Sequence, residues 1–191
     1  MKRLALAVVA FLAGCGGGPV PPQWQMNARD SLNTFQERYL RGETKPAELE
    51  FERARAELRS TGRPDLLARA ELIRCAVRAA SLEFDDCPAF EKLRPDAGAE
   101  ELAYAEFLRG AKDKAPEADP VSRLVALGVQ FRAGKATPDA IQAAVELSSS
   151  QGWRRPLLAW LGVQEKRAEA SADRDALERI RRRIGVVLEG R

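Results

Sequence analysis

Apolar residues recur at helical spacing through most of the chain, and the alternation typical of strands is almost absent. Alanine, leucine, glutamate and arginine, which all favour helices, are the most frequent residues. The pattern predicts an all-α protein of about eight helices packed as antiparallel hairpins. Two arrangements of these hairpins stay open, a right-handed solenoid and a compact helical bundle.

Glycine, proline and short polar residues mark the predicted helix ends. Gly42 follows a first helix of about Asn27 to Arg41, where a left-handed glycine would close it. Other positions follow the same rule: Gly62 and Gly134 end helices, Pro64, Pro120 and Pro138 open them, and Asp119 and Thr137 are candidate N-caps. The fourth helix is expected from about Ala97 to Ala111 and the seventh from about Pro156. Ser171 or Asp173 separates the last two.

The chain begins with the basic residues Lys2 and Arg3, followed by ten apolar residues, Leu4 to Ala13. This apolar run is shorter than the roughly 20 residues needed to cross a bilayer. The layout predicts a secretory signal peptide. The four residues Leu12, Ala13, Gly14 and Cys15 resemble the lipobox of bacterial lipoproteins.

The lipobox resemblance implies that Cys15 is the lipid attachment site and that cleavage precedes it. The implied divisions are a signal peptide over residues 1–14, a lipidated flexible linker over residues 15–23, and one α-helical domain over residues 24–191. Gly16 is not the aspartate that favours inner-membrane retention, so the implied location is the outer membrane of a Gram-negative bacterium, facing the periplasm. The alternative is an ordinary cleaved signal in which Cys15 has no role.

Composition narrows the function classes. Two of the 31 basic residues are Lys2 and Arg3, so the mature chain carries 29 basic and 28 acidic side chains, a formal charge of +1. This balance and the implied compartment argue against nucleic acid as a partner. There is no histidine, which removes the commonest general base and zinc ligand. We therefore expect no enzyme, catalytic residue, metal or cofactor.

Cys75 and Cys87 are the cysteines that remain after Cys15. In an oxidising compartment, two cysteines this close are more often bonded to each other than free. We expect a disulfide that ties the irregular segment 83–96, with its two prolines and at most one short helical turn, back to the third helix. Two buried free thiols are the alternative.

Helix pairs of roughly 38 residues resemble tetratricopeptide or related helical-hairpin repeats. The stretch "PLLAWLG", Pro156 to Gly162, is loosely similar to the tryptophan and leucine-glycine spacing of that repeat. The resemblance implies a stacked-hairpin body with a groove for other proteins. Trp160 is expected to fill a gap between helices.

The last helix carries four arginines, Arg179 and Arg181 to Arg183. They form either a face that docks on phosphates or an acidic partner, or a solvated face paired with neighbouring acids. Two acidic pairs, Asp85-Asp86 and Glu100-Glu101, are the candidates for carboxylate catalysis.

The preferred hypothesis is a non-catalytic outer-membrane lipoprotein that binds proteins during envelope assembly or maintenance. It is held to the membrane by its lipid anchor and meets a protein partner in the cell envelope. The alternatives are a carboxylate hydrolase of an envelope polymer and a module that binds lipid or glycan.

Overall fold

The structure, a computed structural model, describes residues 20–111 and 119–189. The predicted signal peptide and Cys15 lie outside this part of the chain. The described residues are all-α, as predicted, and form nine α-helices and one 3₁₀ turn. The helices are α1 Gln23–Arg41, α2 Thr44–Arg59, α3 Pro64–Ala80, α4 Pro88–Glu91, α5 Ala99–Leu108, α6 Pro120–Arg132, α7 Pro138–Ser150, α8 Arg154–Ala170 and α9 Arg174–Glu189, with the 3₁₀ turn at Arg94–Asp96.

The predicted caps are confirmed. Gly42 is left-handed with φ of 86°, and its N–H donates to the Tyr39 carbonyl at 3.0 Å. The Asp119 carboxylate accepts from the first turn of α6, and the Thr137 hydroxyl accepts from that of α7. The first helix begins four residues earlier than predicted, at Gln23, because the Pro22 carbonyl accepts the first backbone hydrogen bonds of α1.

The body is a compact bundle around α3, which contacts α1, α2, α5 and α6. The large aliphatic side chains of α3 do not all lie in the core, since Leu66 and Ile73 are only half-buried. Buried residues lie on several sides of α3, because its small side chains let the neighbouring helices approach closely. The closest approach is at Gly128 of α6, where a Cβ atom would lie 2.2 Å from the Ala79 carbonyl oxygen.

The last helices return to the first hairpin. Arg155 of α8 donates from Nε to the Tyr39 carbonyl at 2.8 Å, and its guanidinium stacks 4.2 Å from the centre of the Tyr39 ring. Trp160 is fully buried, as predicted, and its Nε1 donates to the Ala80 carbonyl at 3.1 Å. An open solenoid would keep α8 away from α1 and α3, so these contacts establish the compact bundle rather than the solenoid.

The segment between α3 and α5 is held in several ways. Cys75 and Cys87 lie at disulfide distance, with Cα atoms 5.8 Å apart, within the range for this bond. The segment contains two short helical turns, α4 and the 3₁₀ turn at Arg94–Asp96, one more than the sequence predicted, and Phe90 of α4 is fully buried. Arg78 binds Asp85 at 2.5 Å. The segment is therefore fixed by packing and ion pairs as well as by the cysteines.

Candidate functional site

The last helix, α9, differs from the others because it rests mainly on α8. Ile180, Ile184 and Val187 pack against the core but stay half-buried, and α9 has no buried residue. Val186 is 71% exposed and Leu188 is 41% exposed. This end of the molecule therefore keeps apolar surface that the chain itself does not cover.

A groove runs between α7 and α9 with α8 as its floor, and we call it the α7–α9 groove. Two cavities of about 650 and 500 Å³ lie along it, and Arg179 and Arg183 line both. The floor is one stripe of α8, because its lining residues follow a 4, 3, 4, 3 spacing along the helix. These floor residues are Leu157, Leu161, Gln164, Ala168 and Ser171.

The four arginines of α9 divide into two groups. Arg181 binds Glu165 and Glu169 of α8, each at 2.8 Å, and Arg182 lies 3.7 Å from Glu178 on its own helix. Arg181 and Arg182 therefore agree with the second alternative drawn from the sequence, a solvated face paired with neighbouring acids. Arg179 and Arg183 make no ion pair with a carboxylate of the described residues.

The geometry of α9 explains this division. Arg179 and Arg183 are four residues apart and share one face, so both guanidinium groups line the groove. Arg167, at the end of α8, also lines it and likewise forms no ion pair within residues 20–111 and 119–189. The one carboxylate among the lining residues is Asp139 of α7. The floor leucines are themselves buried, so the accessible apolar surface of the groove comes mainly from Val186 and Val187, beside an excess of positive charge.

A second cleft of about 680 Å³ lies between α1, α3, α5 and α6 and contains the acidic pair Glu100-Glu101. Glu101 is nearly buried and binds Arg69 at 2.6 Å, while Glu100 is exposed. Burial opposes ionisation of Glu101, but hydrogen bonds from Arg69 and from the Gly98 backbone outweigh it and lower the pKa. A glycosidase-type acid needs a raised pKa, so Glu101 does not suit that role.

Tyr104 lines the same cleft, where burial and the nearby Asp119 carboxylate raise its pKa to about 12. Its hydroxyl is therefore protonated at physiological pH. This group can take part in hydrogen bonds to a neutral ligand but cannot act as a base.

The other acidic pair, Asp85-Asp86, is also held by arginines. Asp85 binds Arg78, and Asp86 binds Arg132, which lowers the pKa of Asp86. The Asp85 carboxylate lies near the two cysteines, and ligand atoms of the three residues fall within 4.8 Å of one another. Sulfur at disulfide distance offers no thiolate to a metal ion, so this group suits a structural cross-link better than a metal centre.

Sequence reasoning named the arginines of α9 but missed Arg167 and the floor residues that follow the PLLAWLG stretch. The five floor residues are separated by four and three positions in turn, which places them on one face, but two of them are polar, so the hydrophobic pattern does not single them out. Sequence alone gave no sign that α7 and α9 lie on either side of this stripe.

Comparison with protein-family models, with curated proteins and with solved structures finds no match to this chain. Among the helices of the described residues, none is both long and apolar enough to span a membrane. The functional argument therefore depends on the chemistry of the groove and on the sequence of the first 15 residues.

Proposed function

We propose that this chain is a non-catalytic lipoprotein of the outer membrane, facing the periplasm, whose helical body binds a protein during envelope assembly or maintenance. Cys15 would carry the lipid, and residues 16–22 would be the spacer that connects it to α1. Three or so acyl chains make a durable anchor, whereas one binds only marginally.

The observation that carries the binding function is the α7–α9 groove. Arg179 and Arg183 line open volume beside the exposed Val186, and no ion pair with the described carboxylates neutralises them. Charged side chains beside exposed apolar surface are typical of interaction sites, because a partner can bury the apolar area and neutralise the charge together. The acidic pairs, in contrast, are already bound to arginines of the same chain.

The anchor is tested by labelling cells with radioactive palmitate. We expect label on the wild-type chain and none on Cys15→Ala, and globomycin should cause the uncleaved precursor to accumulate. Gly16→Ala is the matched control and should keep both the label and the outer-membrane location. Gly16→Asp should shift the protein to the inner membrane. An unlabelled wild-type chain would contradict the lipoprotein assignment.

Protein binding is tested by crosslinking in intact cells, followed by isolation of the tagged chain under denaturing conditions. We expect one discrete protein adduct that Arg179→Glu with Arg183→Glu abolishes. The control is Arg53→Glu with Arg59→Glu on α2, which reverses the same number of exposed charges outside the groove. Adducts that persist in the groove variant, or adducts to lipid or glycan alone, would contradict the proposed protein-binding function.

A further inference from the structure

The α7–α9 groove has the shape and charge to select its occupant. Its floor, the stripe from Leu157 to Ser171, covers 15 residues, and the 14 steps between the first and the last correspond to about 21 Å of helix. This length corresponds to about four helical turns. The side walls are themselves helices, so an added helix would lie in the groove in the way that helices of the bundle pack on one another.

Charge defines the side chains that the occupant must present. Arg167, Arg179 and Arg183 line the groove without an ion pair among the described residues, and Arg182, which lies 3.7 Å from Glu178, lines one end of it; the one acid in the lining is Asp139. Arg179 and Arg183 stand one turn apart, roughly 6 Å. Two carboxylates separated by one turn on a facing helix would match this spacing, and apolar residues between them would meet Val186 and Val187 of α9, which line the same cavity and keep exposed surface.

We propose that the groove binds an amphipathic helix of a partner protein, about four turns long, with an apolar stripe bordered by acidic residues. The inference rests on the proposed function, since it names the partner chemistry of the same site. Recognition would follow the helix-in-groove mode, in which apolar anchors supply affinity and the charged border supplies orientation and specificity.

Two other occupants fit the groove less well. Arg155, two residues before Leu157, binds the Tyr39 carbonyl near the end of α1, so this end of the groove lies at the opposite end of α1 from the tether. A helix of 19 residues is about 28 Å long. The anchoring membrane is therefore the less suitable occupant. A second copy of the chain, docked through the same face, would bring together two surfaces that each carry an excess of positive charge.

The test uses the mature chain from residue 15 with Cys15→Ser, so that it does not depend on lipidation. Two fluorescent helical peptides of four turns serve as probes. One has leucines at 4, 3, 4 spacing bordered by glutamates four residues apart, and the other has lysine in place of each glutamate. Binding is measured by fluorescence anisotropy at increasing salt.

We expect the acidic peptide to bind at least about tenfold more tightly than the lysine peptide, and salt to weaken it. Arg179→Glu with Arg183→Glu should weaken it by about tenfold or more, and Arg179→Gln with Arg183→Gln by less. Arg53→Glu with Arg59→Glu should leave affinity within about twofold. Circular dichroism and thermal unfolding of each variant confirm that it is folded.

Equal affinity for the two peptides, binding of neither, or an equal loss in the α2 control would overturn the inference. Vesicles of phosphatidylethanolamine and phosphatidylglycerol provide a second check. If the wild-type chain and the α2 control bind them and the groove variant does not, the groove is a membrane-binding surface and the inference is overturned. If light scattering shows that the wild-type chain is a dimer and the groove variant is a monomer, the occupant of the groove is a second copy of the chain and the inference is overturned. A discrete adduct in cells without a peptide preference would leave the protein-binding function standing and reject this occupant.

Discussion

Helices α3 and α9 are nearly equal in length, 17 and 16 residues, yet their surroundings are opposite. Eight residues of α3 are buried, and α9 has none. Half of the residues of α9 are charged, against five of 17 in α3, but composition alone does not explain why no residue of α9 is buried. The location does, because α3 has helices on several sides and α9 rests mainly on one. Helix α3 is part of the core, whereas α9 keeps apolar surface that the described residues do not cover.

The largest expected effect is at Trp160, which connects α8 to the end of α3. Trp160→Ala removes a fully buried ring and its hydrogen bond to Ala80 and should lower the free energy of unfolding by about 3–5 kcal/mol. The matched change in α9 is Ile184→Ala, which should cost about 1 kcal/mol because the side chain is only half-buried. Urea unfolding measures both, and equal losses would contradict the difference between the two regions.

Two glycine substitutions test the same difference between the packed region around α3 and the exposed helix α9. Gly128→Ala forces a Cβ against the Ala79 carbonyl and should destabilise the protein by about 3 kcal/mol. Gly185→Ala in α9 meets no atom within 4 Å and should stabilise it by up to about 1 kcal/mol, because alanine favours the helix. Thermal unfolding of the two variants should move in opposite directions, and a shift in the same direction would refute the packing described for α3 and α6.

The cysteine pair should have an effect of similar or slightly smaller size. Replacing Cys75 and Cys87 by alanine opens a short loop and should cost about 2–3 kcal/mol in the chain-entropy view. Because Phe90 and the ion pairs of Asp85 and Asp86 still hold the segment, the fold should survive. Urea unfolding with and without reductant measures the cost. An unchanged wild-type midpoint under reduction would show that the bond does not form in solution.

The smallest expected effect is on the pH dependence of stability. It comes from two glutamates, Glu71 and Glu101, whose pKa values are shifted in opposite directions. Burial raises the pKa of Glu71, although Arg55 lies 3.3 Å away, so ionisation of Glu71 costs stability as pH rises through its folded pKa. The pKa of Glu101 is lowered, so its contribution exists above the unfolded pKa and disappears as pH falls through the folded pKa.

Glu71→Gln should therefore raise stability at neutral pH, and Glu101→Gln should lower it. Both differences from wild type should shrink in acid, where the two carboxyl groups are protonated. Chemical unfolding between acidic and neutral pH measures the two differences. Parallel pH profiles for the two variants would contradict the assigned surroundings.

Local features of the fold could be read from the sequence. Gly42, Asp119 and Thr137 end or begin helices by backbone chemistry that involves only near neighbours, so their roles were predictable. The all-round burial of α3 was not, because alanine gives a weak hydrophobic signal although it permits close helix packing. The contacts that hold α8 on the first helices were not predictable either. Arg155 and Trp160 donate to the carbonyls of Tyr39 and Ala80, which lie 116 and 80 positions earlier in the chain. Spacing along one helix cannot reveal such pairs.

The candidate site was partly predictable for the same reason. The arginine run of α9 stood out, but its division into paired Arg181 and groove-lining Arg179 and Arg183 depends on the position of α8. Helical periodicity alone distinguishes faces of one helix. It does not show which face a neighbouring helix covers.

The central proposal is that the α9 end of the molecule contacts a partner. Site-specific photocrosslinking in cells tests it most directly, with benzoylphenylalanine at Val186 and, as the control, at Leu49 of α2, which is 63% exposed. We expect one discrete protein adduct from position 186, lost with Arg179→Glu and Arg183→Glu, and none of that size from position 49. The same adduct from both positions, or none from position 186, would contradict the account.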